Sequence, residues 1–551
     1  MTEDANTDED GATQEAVDPV QPEEVRLAGP VETKSTDAPM INGRFAICVV
    51  IAMVVLADFT LYKAYGYAGP AVFFALAPVL LCLGIPARSL RPGSLILWTL
   101  IAWLAYRLAA NGNPALIISG FWLLAALVYS FRRQTPFVLE TLVFTAECFP
   151  GGYDFFKRIN DSLRARLLPP VEQGAPRPIV EILLPALSLL LFGGVFVMAN
   201  PDMVNLVSGT LGDFADLCWD FAVRFSPFEV MFWAFVALLT GGLLRPVMRP
   251  LVSPALGGDR LAWGTEQTPL YAAFRNTLLA LNCLFAVYLA FESRAFLSRV
   301  PPAGFTYSSY AHEGAAWLTV ALGMATLTLS LIFRGLTLCD PRLSKLQTLA
   351  WVWTVLNLLL AFAVYNRMLI YIEYNGMTRM RVVALLGITS VVAGFGLVVL
   401  KLRRKRNFWW LVQRQLWVLS FAAYLFYVLP VDSIVHRYNV NQILAGQKAP
   451  VVQITYHEIS DEALPELLPL CNVDDELISQ GIQAMLSQRY SPLKQDLDEN
   501  EAFGWSAWQK HQKMVVNALD REREQWDTSG SIADRQDRWN ALKNFAFRTW
   551  W

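Results

Sequence analysis

NRMLIYIEYNGMTRMRVV, residues 366–383, is a charged turn set between two long apolar runs. QTLAWVWTVLNLLLAFAVY (347–365) leads into it and VVALLGITSVVAGFGLVVL (382–400) leads out. At about 1.5 Å per helical residue each run can cross a hydrocarbon core of about 30 Å. The stretch therefore reads as a hairpin joining two spans of an all-α integral membrane protein. Asn375 and Gly376 stop the first helix, the glycine supplying a left-handed cap, and Thr378 caps the second. Folding back about Gly376 sets Glu373 opposite Arg379 and Tyr371 opposite Arg381. Arg367, Tyr371, Glu373, Arg379 and Arg381 thus form a candidate polar site, either a clasp that fixes the hairpin or a binding site. An ion pair there has a gross attraction of about 4 kcal/mol at an effective dielectric near 20. In open water it nets only about 0 to 1 kcal/mol.

Outward from the hairpin, the chain of 551 residues is 54% apolar and 17% charged, with the apolar residues in blocks. Blocks at about 45–62, 68–86, 94–110, 114–130, 179–199, 229–245, 270–291, 313–333, 347–367, 382–400 and 409–430 predict about eleven transmembrane helices. Residues 1–43 are acidic and poor in large apolar groups, which predicts a disordered tail. No cleavable leader is read there, so the first span acts as its own signal. The net charge of -2 conceals strong segregation. Alternate connectors carry Arg88 and Arg91; Arg132, Arg133, Lys157, Arg158, Arg164 and Arg166; Arg245, Arg249 and Arg260; Arg334, Arg342 and Lys345; and Lys401, Arg403, Arg404, Lys405 and Arg406. The positive-inside rule then sets the amino terminus in the cytoplasm of a bacterial inner membrane and residues 431–551 outside it. Arg367, Arg379 and Arg381 are the exceptions to that sidedness.

The carboxy-terminal segment reads as a small, mostly helical extramembrane domain. VVQITY (451–456) alternates like a strand, Ser460 caps ISDEALPELLPL, Asp474 starts ELISQGIQAMLSQRY, and helices follow near 506–526 and 532–549. Trp505, Trp508, Trp526, Trp539, Trp550 and Trp551 suit a small core or the headgroup level of a membrane. Upstream, FFKRINDSLRARLL (155–168) has the spacing of a helix lying on an anionic leaflet.

Within the apolar blocks Asp58, Arg107, Arg275, Asn276, Asn282 and Asn357 are polar, and such groups are paired, face a cavity or bind helices together. Asp213, Asp216 and Asp220 share a helical face, whose spacing could bind a hard cation but which is read as a solvated acidic surface. His436, His457 and His511 are too far apart to be read as ligands. The seven cysteines form no CxxC, so no metal site and no disulfide framework is implied. A phosphate-binding glycine loop, HExxH, GxSxG and a DNA-binding module are all lacking, which removes the usual signs of nucleotide hydrolysis, zinc proteolysis, serine hydrolysis and nucleic-acid binding. No cofactor is expected.

YIEYNGMTRMRVVALL (371–386), with TYSSYAHEGAAWLTVAL (306–322), resembles a bacterial family of polytopic membrane proteins catalogued as domain of unknown function 4173, with 4153 a near relative. Members show a helix end with Tyr and Glu, then Tyr-Gly-Leu-Thr-x-x-Arg, and a Tyr-Ala-Arg-x-Gly-Phe stretch before the preceding span. Tyr371, Glu373, Gly376, Thr378 and Arg381 match the first motif, with Asn375 and Met377 differing. Tyr310, Ala311 and Gly314 match the second, with His312 in place of the Arg. The resemblance implies a topology and no activity. Three functions then compete. One is a non-enzymatic protein in the lipid bilayer presenting its tail to an envelope partner. Another is a transporter or channel. The third is an enzyme on lipid-linked substrates, with Glu373 as base and Arg379 and Arg381 holding a phosphate.

Overall fold

The computed structural model describes residues 43–85, 92–131, 135–167, 188–189, 226–244, 270–298, 307–333, 337, 340–404, 406, 408–527 and 531–550. Among these there is no strand. The membrane part consists of α1 (Gly43–Ala57, extended by a π turn over Asp58–Tyr62), α2 (Ala68–Gly84), α3 (Pro92–Asn111), α4 (Pro114–Phe131), α5 (Val138–Leu167) and α6 (Pro227–Leu244). It continues with α7 (Tyr271–Ser298), α8 (Tyr307–Ile332), α9 (Leu343–Asn375), α10 (Arg379–Arg404) and α11 (Phe408–Val428).

Among the described residues seven helices are long and apolar enough to cross a membrane: Phe45–Tyr62, α3, α4, α6, Tyr271–Phe291 of α7, α9 and α10. Two further apolar helices, the 17-residue α2 and Trp317–Ile332 of α8, are shorter. α11 qualifies only together with the next helix, from which it is bent by 68°. The block at 179–199, the acidic loop with Asp213, Asp216 and Asp220, and most of residues 1–43 lie outside the described residues. Large apolar side chains such as Ile51, Leu95, Val287 and Phe362 stand exposed on these helices. Exposed apolar surface on this scale needs a non-aqueous surround. The described residues are those of a helical membrane protein.

Two cores are joined through α11, and a third cluster, with Leu318, Leu360, Val364, Tyr371 and Ile388, lies next to the 366–383 turn. α1 to α4 close around Phe74, Leu81, Leu97, Leu104, Leu127 and Phe131, joined by α5 and α6. α7 to α10 close around Leu278, Phe333, Leu346, Trp353 and Phe395. α11 bridges the two: Trp410 and Leu411 belong to the second core, while Tyr424 donates to the Leu100 carbonyl at 2.7 Å and Trp417 to the Pro136 carbonyl at 2.9 Å. Residues 155–167 of the expected leaflet helix form the end of the 30-residue α5. Phe155 is 3% exposed, and a side-chain carbon added at Gly241 of α6 would meet its ring. α5 and α6 cross so closely that a β-carbon at Gly242 would overlap the Cys148 carbonyl, and one at Gly152 the Leu238 carbonyl. Small residues let helix backbones approach in this way.

After α11 come α12 (Val431–Leu444), α13 (Val451–Tyr456), a 3-10 segment (Asp461–Asn472), α14 (Glu476–Ala502), α15 (Lys510–Arg521), α16 (Arg523–Trp526) and α17 (Ile532–Trp550). They enclose a separate core built on Leu464, Leu467, Ile482, Leu486, Leu519 and Trp526. VVQITY is a helix, α13, and not a strand: Val451 to Thr455 are all buried, so its alternation marks no half-exposed sheet face. Pro465 and Pro469 lack the N–H an α-helix needs, and their segment is a 3-10 helix that Ser460 precedes without a side-chain cap bond. Asp475, one residue past the expected Asp474, caps α14, accepting from Leu477 N at 3.2 Å and Ile478 N at 3.4 Å. Lys448 lies 2.5 Å from that carboxylate and holds it below the usual carboxylate range, with help from the cap bonds.

Candidate functional site

The hairpin between α9 and α10 is closed by its own carbonyls and by the tail. Gly376 has φ 81° and ψ -177°, an extended positive-φ conformation open to glycine almost alone, rather than the left-handed cap expected from sequence. Thr378 Oγ1 accepts from Arg381 N at 3.2 Å, as an N-cap does. Arg381 is 6% exposed and lies 4.1 Å over the Tyr371 ring. It donates to the Asn375 carbonyl at 3.0 Å and to the Gly376 carbonyl, so its charge meets the negative end of α9. Arg379 does not meet Glu373. It binds Asp432 of α12 with both carboxylate oxygens, while Glu373 is exposed. Glu373 sits two residues beyond Tyr371, about 200° around the helix, and so faces away from the tail. Arg367 is half-buried one turn before Tyr371.

Asn439, fully buried on α12, completes the closure: its Oδ1 accepts from Met377 N at 2.6 Å and its Nδ2 donates to the Met377 carbonyl at 2.9 Å. A side-chain carbon at Gly376 would come within 2.7 Å of the same Oδ1 and 2.9 Å of Pro450 Cβ. Burial raises the Asp432 carboxyl, but the Arg379 guanidinium outweighs it and leaves the group below the usual carboxylate range.

A second polar cluster joins the tail to the end of α3. Arg107, 8% exposed, donates to both oxygens of Glu462, Nη1 reaching Oε1 at 2.6 Å, and Asn111 donates to Oε2 at 2.6 Å. His511 Nε2 lies 3.5 Å from Glu462 Oε1. Burial, with the Arg107 charge nearby, lowers the His511 imidazole despite Glu462. A polar cavity of about 160 Å3 lies beside this cluster, lined by Asp461, Asn500, Gln509 and Gln512 among others. Arg107 reads from sequence as a residue reaching out from a span end, and His511 as isolated. Only the fold brings them together, from 355 residues apart in the case of Glu462.

The third joint is the turn after α1. Ser506 accepts from Tyr65 N through Oγ and from Ala68 N through its carbonyl, both at 3.2 Å, and the Tyr65 and Phe503 rings stack with centroids 5.2 Å apart. All three joints lie at the same ends of the membrane helices. α9 and α10 carry Arg342 and Lys345, and Arg403 and Arg404, at their opposite ends, about 39 Å away along the 26 residues of α10.

The remaining candidates are scattered. Asp58, 5% exposed in the π turn, accepts from Lys63 at 2.7 Å and Trp233 at 2.8 Å, and Lys63 also reaches the buried Glu229 at 2.8 Å. Asn282 of α7 donates to the Leu349 carbonyl of α9 at 3.2 Å and binds the two helices together. Asn357, fully buried, donates to the Trp353 carbonyl at 2.7 Å. Arg275 is exposed and bonds its neighbour Asn276. Tyr310 and Gly314 fall in the first turns of α8. Lys401, read from sequence as part of a basic connector, is 1% exposed and donates to the Phe333 carbonyl at the end of α8. Among the described residues no three His, Cys, Asp or Glu side chains are grouped to hold a metal ion.

The family described as Domain of unknown function (DUF4153) matches residues 45–470. The chain belongs to this family. Of the two related families that the hairpin motif resembles, DUF4153 is the one that matches, and the matched stretch takes in the hairpin, Asp432, Asn439 and Glu462. No curated protein and no solved structure matches the chain.

Proposed function

We propose that this DUF4153 protein is a non-enzymatic membrane protein whose carboxy-terminal helices form a rigid platform, held outside the inner membrane for an envelope partner. One observation carries the reading. The tail is bonded to the membrane helices at three separate places, all at the ends remote from the basic connectors of α9 and α10. In this reading the hairpin charges are a clasp. Arg379 is taken by Asp432 and Arg381 by helix-end carbonyls, so neither is left to hold the phosphate of a lipid-linked substrate. The finer topology is eleven spans. Seven long helices, two shorter apolar ones, the bent α11 and the 179–199 block make up that number, with the amino terminus cytoplasmic and residues 431–551 outside.

A platform works without moving on its base. Cysteines replacing Tyr65 and Phe503, whose rings stack across the joint, are to be linked by a short bifunctional thiol reagent in cells. The linked protein is expected to restore the growth and the lipid and solute profile of a deletion strain as fully as the unlinked one. Loss of that rescue on linking would contradict the platform and favour a tail that moves, as a transporter gate does.

A further inference from the structure

Between α2 and α3 runs a lateral groove of about 530 Å3, lined almost wholly by apolar side chains. Alanines keep it open between larger apolar side chains: Ala68, Ala71 and Ala75 on α2 and Ala102, Ala105 and Ala109 on α3, each set at helical spacing. Such a trough runs along the membrane-facing side of two spans. At one end it is overhung by Trp505 and Trp508, which line it from the tail. Both rings are substantially exposed, at 56% and 41%, and thus are not spent on the tail's core. They flank Ser506, whose two bonds to Tyr65 N and Ala68 N fix this aromatic overhang at the head of α2.

A single cation stands at that end. Lys510 Nζ lies 5.5 Å over the ring of Tyr106, itself a lining residue, and among the described residues Lys510 makes no ion pair. The neighbouring Arg107 is already bound to Glu462 by both terminal nitrogens. The tail thus brings a tryptophan pair and an exposed lysine together beside an apolar trough. These are the groups a phospholipid in its leaflet calls for: an apolar surface for an acyl chain, aromatic rings for the glycerol level and a cation for the phosphate.

We infer that this groove holds one anionic glycerophospholipid of the leaflet on the tail's side, with an acyl chain between α2 and α3 and the phosphate at Lys510. A second copy of the chain fits less well. A helix at least about 10 Å across would fill 530 Å3 in little more than one 5.4 Å turn, whereas a single hydrocarbon chain is narrow enough to follow the trough. The inference rests on the contact between tail and α2, and not on which compartment the tail faces or on whether it serves as a platform.

The test uses the full chain in detergent and counts retained lipid by native mass spectrometry after adding dioleoylphosphatidylglycerol or dioleoylphosphatidylcholine. The wild type is expected to retain one phosphatidylglycerol per chain in preference to phosphatidylcholine. Lys510→Ala, at an exposed position, is expected to reduce that preference about fivefold, the share of one lysine near an anionic lipid. Ala75→Trp or Ala102→Trp, each filling the groove from an exposed position, is expected to lose both lipids at unchanged melting temperature. Retention of phosphatidylglycerol by either folded tryptophan variant would overturn the proposal, as would an unaltered preference in Lys510→Ala. A wild-type dimer that becomes a monomer in Ala75→Trp would overturn it too, assigning the groove to a second copy. If neither tryptophan variant folds, the lysine variant decides.

Discussion

At the scale of single residues the clasp depends most on Gly376. Its positive φ and extended ψ cost a substituted residue about 1–3 kcal/mol, and the new β-carbon would press on Asn439 and Pro450 besides. Gly376→Ala is expected to destabilise the protein by at least that amount in chemical denaturation, with protease cutting first at residues 431–550. Wild-type stability in this variant would mean that the hairpin and α12 are not bonded as described. His436, on the same α12, is 3% exposed, and burial lowers its pKa to about 4 against the opposing pull of Asp432, with Arg379 and His457 adding to the lowering. The unfolded chain therefore takes up the proton first. Stability is full above pH 6.5 and falls as the pH drops towards 4, with about 2 kcal/mol lost between pH 7 and pH 5. His436→Gln should flatten that part of the profile, leaving the losses from Asp432 and Asp475 to begin near pH 3.8 and below.

Residues show clearly what a sequence can and cannot reveal here. Gly376 and Thr378 act on their immediate neighbours, so the helix stop and the cap were legible in NGMT. The partner of Arg379 was not, because Asp432 lies 53 residues on, behind an intervening helix, and no local pattern links them. The buried Arg107 and Glu462 are the extreme case, each looking like an ordinary charge near a helix end until the tail folds back over α3.

At the scale of elements, apolar block length was legible and the fate of short segments was not. A span is recognised from some 18 consecutive apolar residues, a signal that survives any packing. VVQITY has six residues and is buried all round, where period alone cannot separate strand from helix. α5 crosses α6 closely enough for Phe155 to be buried there, a contact that no local period announces. That crossing yields a prediction. Gly242→Ala would force the α5 and α6 backbones apart and is expected to cost about 1–3 kcal/mol, the usual cost of overpacking. Gly387→Ala in α10, where nothing lies within 4 Å of an added carbon, serves as the control and should not lower stability. Equal melting temperatures for the two variants would contradict the close crossing.

At the scale of the whole molecule, the cores of α1 to α4, of α7 to α10 and of the tail are distinct, with α11 and the three joints holding them together. The tail's grip on the turns after α1, α3 and α9 requires those three turns to share one side of the membrane, and Arg403 and Arg404 to lie on the other. Sidedness is therefore the claim on which the platform and the clasp stand together. Labelling of single exposed cysteines with a membrane-impermeant maleimide, in intact cells and after permeabilisation, tests it most directly, using Arg404→Cys at the end of α10 and Phe503→Cys beside Tyr65. Phe503→Cys is expected to react in intact cells and Arg404→Cys only once the membrane is opened. Reaction of both under the same condition would place the tail and the basic end of α10 on one side and contradict the account.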